Sequence, residues 1–269
     1  MPSDNHEYVL VTGDAGAARL ALLHDTYGTN TESLLRELGL TAGMRAADLG
    51  CGTGTVSRWM ASIVGPSGEV VGADVSADQL EVAAREAARL GLPQLRHVQA
   101  SVYDTGLPRD HFDLVYCRFL LCHVGDPAAG VREMRSMLRP GGVLLCEDVD
   151  VGSVECDPPS PRYDRMRDIM LALGRFRGVD YCLGPRLHRV FREAGLANTQ
   201  VRIDQPVLSR GEPKRFWEYT FLEAAPAMLR AGLTDESELR ELAAEMARVA
   251  KDESVMVAQA KKVQVWARR

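Results

Sequence analysis

The chain has 269 residues, 46% hydrophobic and 26% charged, with a formal net charge of −5. That length suits one α/β domain with insertions and is short for two independent ones. Near-average apolar content excludes a disordered chain, and the mild acidity gives no basic face for nucleic acid.

In chain order, residues 1–44 precede the first predicted strand. They hold two short helical patterns, Ala17–Leu23 and Glu32–Leu38, with a polar turn between them at His24–Thr31. Ala46–Leu49 reads as a short buried strand carrying an acid, Asp48, and glycines follow at 50, 52 and 54 before a helix from Thr55. Glycines there let the backbone bend sharply and leave room for a ligand against the main chain. Val70–Asp74 is a second buried strand with a carboxylate at its tip, placed to accept hydrogen bonds from a ribose diol. Ser76 is the expected N-cap of a helix through Arg89, with Gln79 three positions on. Val98–Gln99 ends a third strand, and Phe112–Cys117 forms a fourth. Val131–Leu138 is helical until Pro140, where a Pro-Gly-Gly turn leads into a fifth strand. Beyond it come a helix from Pro161 to Phe176, a sixth strand at Gln200–Asp204, two helical patterns within 211–254 and a closing strand at Lys262–Ala267.

The two acidic strand tips flanking a glycine turn describe a nucleoside ligand at the first crossover of a parallel sheet. The glycine spacing is G-x-G-x-G, not the G-x-G-x-x-G of dinucleotide sites. Asp48 would repel a diphosphate but suits a cationic or amino-bearing ligand. The run Asp48-Leu49-Gly50-Cys51-Gly52-Thr53-Gly54, the acid at Asp74, and the Val98–Asp104, Phe112–Cys117 and Leu138–Leu145 segments resemble, in order, the motifs of class I S-adenosylmethionine-dependent methyltransferases. Within that class the likeness is to the small-molecule, ubiquinone/menaquinone-methyltransferase-like group, strong over residues 40–150 and in outline elsewhere.

The resemblance implies a Rossmann-like, mostly parallel sheet of seven strands with helices on both faces and a helical lid from insertions. The expected organisation is an N-terminal helical cap (1–44), a cofactor-binding core (45–150), a lid insertion (151–183), a core continuation (184–210), a second lid insertion (211–255) and a closing core strand (256–269). Insertions after strand ends gather above the carboxyl edge of such sheets, where ligands bind. The implied cofactor is S-adenosyl-L-methionine, leaving as S-adenosyl-L-homocysteine. Residues carried over to it are Asp48, Gly50, Cys51, Gly52, Gly54, Asp74, Val75, Gln79, Ser101, Val102 and Arg118, with Tyr27 reaching the methionine carboxylate. Tyr8 is a second aromatic candidate for closing over the cofactor.

Methyl transfer from a sulfonium needs alignment and exclusion of water more than acid–base help, so a catalytic side chain can be dispensable. His123, just after the fourth strand, is the candidate base because histidine titrates near neutrality. Asp148, Phe176, Trp217 and Phe221 are the candidate acceptor-binding residues, with Glu147, Asp150 and Tyr219 nearby. Arginines 162, 165, 167, 175 and 177 alternate with acids and read as a salt-bridged helix face. No metal-ligand spacing is present. The six cysteines include no C-x-x-C pair and read as small, reduced hydrophobes. Without a leader-like or membrane-length segment, a cytoplasmic protein is expected. Its partner would be a small organic acceptor, a specialised metabolite in preference to a quinone or sterol. No nucleic acid or membrane is expected, and the chain would be a monomer or homodimer. Two rivals stand beside this reading: a non-catalytic cofactor-binding or scaffold protein of the same fold, and a nicotinamide-dependent oxidoreductase.

Overall fold

A computed structural model describes residues 10–269. Tyr8 lies outside the described residues. The first element is one continuous helix, α1 (Gly13–Glu37), and not two helices with a turn. The polar stretch stays helical because its hydroxyls bond backward: Thr26 donates to the Leu22 carbonyl at 2.6 Å and Thr31 to that of Tyr27 at 3.2 Å. Gly28 is small because the His24 ring lies over it, 2.6 Å from where a Cβ would stand.

Then follow β1 (Arg45–Leu49), α2 (Thr55–Val64), β2 (Glu69–Asp74), α3 (Ala77–Arg89), β3 (Leu95–Gln99), β4 (Phe112–Arg118), α4 (Pro127–Met137) and β5 (Leu138–Asp150). The second half comprises β6 (Glu155–Asp157), α5 (Pro161–Phe176), α6 (Leu187–Glu193), β7 (Gln200–Asp204), β8 (Val207–Leu208), α7 (Phe216–Arg230), α8 (Glu236–Lys251), β9 (Met256–Ala258) and β10 (Lys261–Arg268). Capping is as the sequence dictates: the Ser76 hydroxyl accepts the Gln79 N–H, and Asp126 and Ser160 cap α4 and α5.

Seven strands form one sheet in the order β3-β2-β1-β4-β5-β10-β7. The first five are parallel, and β10 runs antiparallel between β5 and β7. The order reverses between β1 and β4, which fixes the ligand crevice at their carboxyl ends. The sheet separates two apolar cores. One contains Leu34, Leu35, Met60 and Tyr116; the other joins the opposite sheet face to α4, α5, α6, α7 and α8 without a break. The covering helices therefore share the core of the sheet.

Residues 256–269 are not a single strand. Met256–Ala258 forms a small three-stranded sheet, β6-β9-β8, and only β10 enters the main sheet. The basic face of α5 ties it to α8 through Arg165–Glu238 at 2.7 Å and Arg162–Glu241 at 3.3 Å. All six cysteines are unbridged. Among the described residues no helix is long and apolar enough to cross a membrane.

Candidate active site

A cavity of about 430 Å³ opens at the carboxyl ends of β1, β2 and β4 and is roofed by α1, α5 and α7. Its floor is the glycine turn. Gly50 and Gly52 have φ of 67° and 53°, a left-handed conformation that side chains resist. Cys51 lies between them in the wall. Gly54 is not in the wall: a Cβ there would stand 3.0 Å from Ala83 Cβ, so this glycine lets the start of α2 approach α3.

Asp74 ends β2 beside that turn. Its Oδ2 accepts the Gly52 N–H and its Oδ1 the Ser76 N–H, each at 2.9 Å, which orients both oxygens while leaving lone pairs for a ligand hydroxyl. Burial raises its pKa, against those backbone bonds. Gln79 lines the same cavity, is 4% exposed, and its buried Oε1 has no partner. Val75, Ser101 and Val102 complete this wall.

Asp48 is buried at the tip of β1, with the Ser57 hydroxyl donating to it at 2.5 Å. Burial pushes its carboxyl up to about 7, opposed by Ser57 and by Arg118. A cationic group arriving in the cavity would restore the carboxylate. Arg118, also in the wall, donates to the Thr31 hydroxyl at 3.4 Å. Beneath it Glu147, wholly buried, accepts Thr31 and Tyr116 hydroxyls at 2.7 Å each, lies 3.3 Å from Lys262 and is bonded by Gln264. Burial opposes its ionisation, but Lys262 and Arg118 hold its carboxyl below the usual range.

Glu147 thus belongs to a buried ion network and does not reach the cavity. Asp148 also fails to reach it. It is fully buried and accepts the Cys122 and Val149 N–H groups at 3.0 and 2.8 Å. Asp150 lies outside the wall as well. Phe176, at the end of α5, is 67% exposed and faces away, whereas Phe221 is fully buried in the core; neither lines the cavity, nor does Tyr219. Tyr27 does, but its hydroxyl donates to the Ala260 carbonyl at 2.8 Å, so the ring is what it offers there. Trp217 lines the roof as expected from its sequence position.

His123 stands in the wall, edge-on to Tyr181 with ring centroids 5.4 Å apart. Burial first, then the charges of Arg177 and Arg19, lower its pKa to about 3, so the ring is neutral across the ordinary pH range. Sequence reasoning did not single out Arg19, Leu20, Leu23, Met170, Tyr181 or Thr220 for this cavity. A signal existed for the first of these: Arg19, Leu23 and Tyr27 repeat every four residues and share one helix face. Phe119, also in the wall, carries φ of 53°, a conformation rare outside glycine and held here by its N–H to the Glu147 carbonyl at 2.8 Å.

The glycine cradle, the two acids and the partnerless Gln79 oxygen fit a nucleoside bearing an amino acid tail. The fold is the Rossmann-like one of solved methyltransferases, with the cavity at the strand crossover where such sheets take a nucleoside. Residues 46–142 match the methyltransferase-domain family. The chain is 32% identical over 149 residues to a ubiquinone/menaquinone biosynthesis C-methyltransferase of Hahella chejuensis, covering 53% of this chain and 60% of that one. It is 28% identical over 187 residues to a demethylmenaquinone methyltransferase of Staphylococcus aureus, covering 63% and 74% respectively. The Hahella match thus spans less than two thirds of that relative's length. A solved putative methyltransferase of Bacillus halodurans shares the fold with a TM-score of 0.59 at 19% identity, covering 88% of this chain and 97% of that one. The YcgJ protein of Bacillus subtilis gives 0.57 at 20% identity, covering 91% and 99%.

Proposed function

We propose that this protein transfers a methyl group from S-adenosylmethionine to a small, largely apolar organic acceptor by direct displacement. One observation carries the reading: the glycine turn, Asp48 and Asp74 share a single cavity with a roof of apolar side chains. When bound, the cofactor supplies a methyl group on positively charged sulfur, whose charge vanishes as the methyl leaves.

Asp74 and Gln79 would hold the ribose hydroxyls, Ser101 and Val102 would flank the adenine, and Asp48 would meet the tail's amino group. Arg118, fixed through Thr31, would face the tail's carboxylate. Leu20, Leu23, Met170 and Trp217 exclude water and confine the acceptor, and such alignment is the main requirement for displacement. His123 keeps a place against the acceptor, but a ring whose conjugate acid has a pKa of about 3 is a weak base. Its role is to accept a hydrogen bond and orient the acceptor.

The relatives' names point to quinone-type acceptors, whereas the compact roofed cavity also suits the specialised metabolites expected from the sequence. The non-catalytic reading is tested by the same experiment. Protein incubated with methyl-labelled cofactor and metabolite fractions should yield S-adenosylhomocysteine and a product heavier by one methyl group. Cofactor binding without turnover across quinol, phenol and metabolite pools would leave only a binding protein. Preferential binding of a nicotinamide cofactor would point to an oxidoreductase.

A further inference from the structure

The main sheet has two free edges, and they differ. β3 ends one side, and among the described residues no large apolar side chain stands exposed along it. β7 ends the other side. There Val201 is 51% and Ile203 60% exposed, and alternation puts both on one face, with exposed Val207 just beyond. Among the described residues no strand pairs with the outer side of β7. An edge strand offers a row of unpaired N–H and C=O groups, and folded proteins blunt such an edge with charge or cover it. Apolar side chains beside that row suit β7 to being covered.

The opposite face of the strand carries Arg202 and Asp204. Arg202 donates to Glu37 of α1 at 3.2 and 2.7 Å, and Asp204 lies 3.7 Å from the buried Lys262 of β10. Both side chains stay partly accessible. Two copies of β7 related by a two-fold axis pair antiparallel, and because side chains alternate, the axis must pass through one residue. An axis at Arg202 sets the two arginines opposite each other, and one at Val201 sets Arg202 against Gln200. An axis at Ile203 sets Arg202 of each copy against Asp204 of the other and brings the two isoleucines together. Opposite charges directly across a strand pair stabilise it and like charges do the reverse, which selects the third register. Glu37, Arg202, the partner's Asp204 and the partner's Lys262 then alternate in sign. In β3 the sole side chain of fixed charge is Arg96, so no self-pairing of that edge sets opposite charges together.

We infer that β7 is the contact surface of a homodimer, in which two copies of this chain join their sheets antiparallel about Ile203. This goes beyond the methyl-transfer reading and does not depend on it. β7 runs parallel to β1 and β4, because β10 is antiparallel to both β5 and β7. The two-fold axis reverses strand direction, so the two cavities open at opposite ends of the joined sheet. Both stay accessible to ligands.

The test is sedimentation velocity of the full chain over a wide range of concentration, in which a two-chain species should grow as concentration rises. Ile203→Lys sets two ammonium groups together on the axis and should raise the concentration of half-association by about tenfold or more. Arg202→Gln removes both cross-strand ion pairs at once and should raise it severalfold. Register is read separately by crosslinking, which keeps the test decisive should either of those variants not fold. A bismaleimide shorter than the about 14 Å that four strand residues span should join Ile203→Cys to its copy but not Val201→Cys, whose substituted positions lie that far apart. The unsubstituted chain, with its own six free thiols, is the crosslinking blank. A single-chain species at every concentration overturns the inference and leaves the edge to a different partner. So does a dimer indifferent to Ile203→Lys or to Arg202→Gln, or crosslinking of Val201→Cys equal to that of Ile203→Cys.

Discussion

The cofactor end of the cavity is built chiefly from residues 48 to 79, whose backbone does much of the work. The acceptor end instead draws side chains from α1, the turn after β4, the loop after α5, and α7, spanning Arg19 to Thr220. The first rests on strands buried on both faces and hydrogen-bonded to neighbours on each side. The second hangs on helices that meet one another through side chains. A turn of left-handed glycines tolerates few side chains, so the proposed cofactor cradle leaves little to vary. A roof of side chains can be respecified residue by residue without touching that cradle.

The contrast breaks most visibly at the buried ions that brace the cofactor end. Lys262→Met should destabilise the fold by about 3–5 kcal/mol in chemical denaturation, because buried Glu147 loses its nearest cation. A loss below about 1 kcal/mol, the value of an exposed pair, would mean the network is wet. Next, Asp74→Ala should weaken S-adenosylhomocysteine binding by about 1.5–3 kcal/mol through loss of charge-assisted hydrogen bonds. Its effect on acceptor binding should be small, and comparable losses for both ligands would erase the division between the two ends.

Protonation sharpens the division. In the ligand-free protein Asp48 is raised to about 7 by burial, so the folded state binds a proton that the unfolded state releases above its ordinary pKa. Its contribution to stability is full below the unfolded pKa of 3.8 and is lost as pH rises through about 7. A ligand amino group favours the ionised form, so S-adenosylhomocysteine affinity should climb with pH up to about 7 by as much as roughly tenfold per unit, then level off. Calorimetry across this range should show that slope flattened in Asp48→Asn. The smallest effect belongs to Phe176→Ala, which should change stability by less than about 0.5 kcal/mol and leave acceptor affinity untouched. An acceptor-affinity change there would return this exposed ring to the site.

The cofactor end was legible because its signals are local. A strand tip, a glycine spacing and a capped helix all fall within thirty residues, so geometry follows from chain continuity. Asp48, Asp74 and Gln79 accordingly line one cavity, joined there by Ser101 and Val102 from the loop after β3. The acceptor end was legible only as composition. Phe176, Trp217 and Phe221 look alike in sequence, yet one is in solvent, one is in the cavity roof and one is in the core. Helical phase alone does not say which neighbour a face will meet. Asp148 was misplaced for a related reason. Alternation along β5 does not reveal that two backbone N–H groups take its carboxylate inside.

Chain-local chemistry therefore settled the class of fold, the crossover where the cavity opens, and most of the strand-tip residues that line it. Only the folded chain put Arg19 against Glu223, 204 positions away, turned Glu147 inward onto Lys262, and drew the His123 pKa down to about 3. Spacing fixes what neighbours in sequence can do together. Burial and distant charge, which set pKa and decide who faces the ligand, exist only after the helices have packed over the sheet.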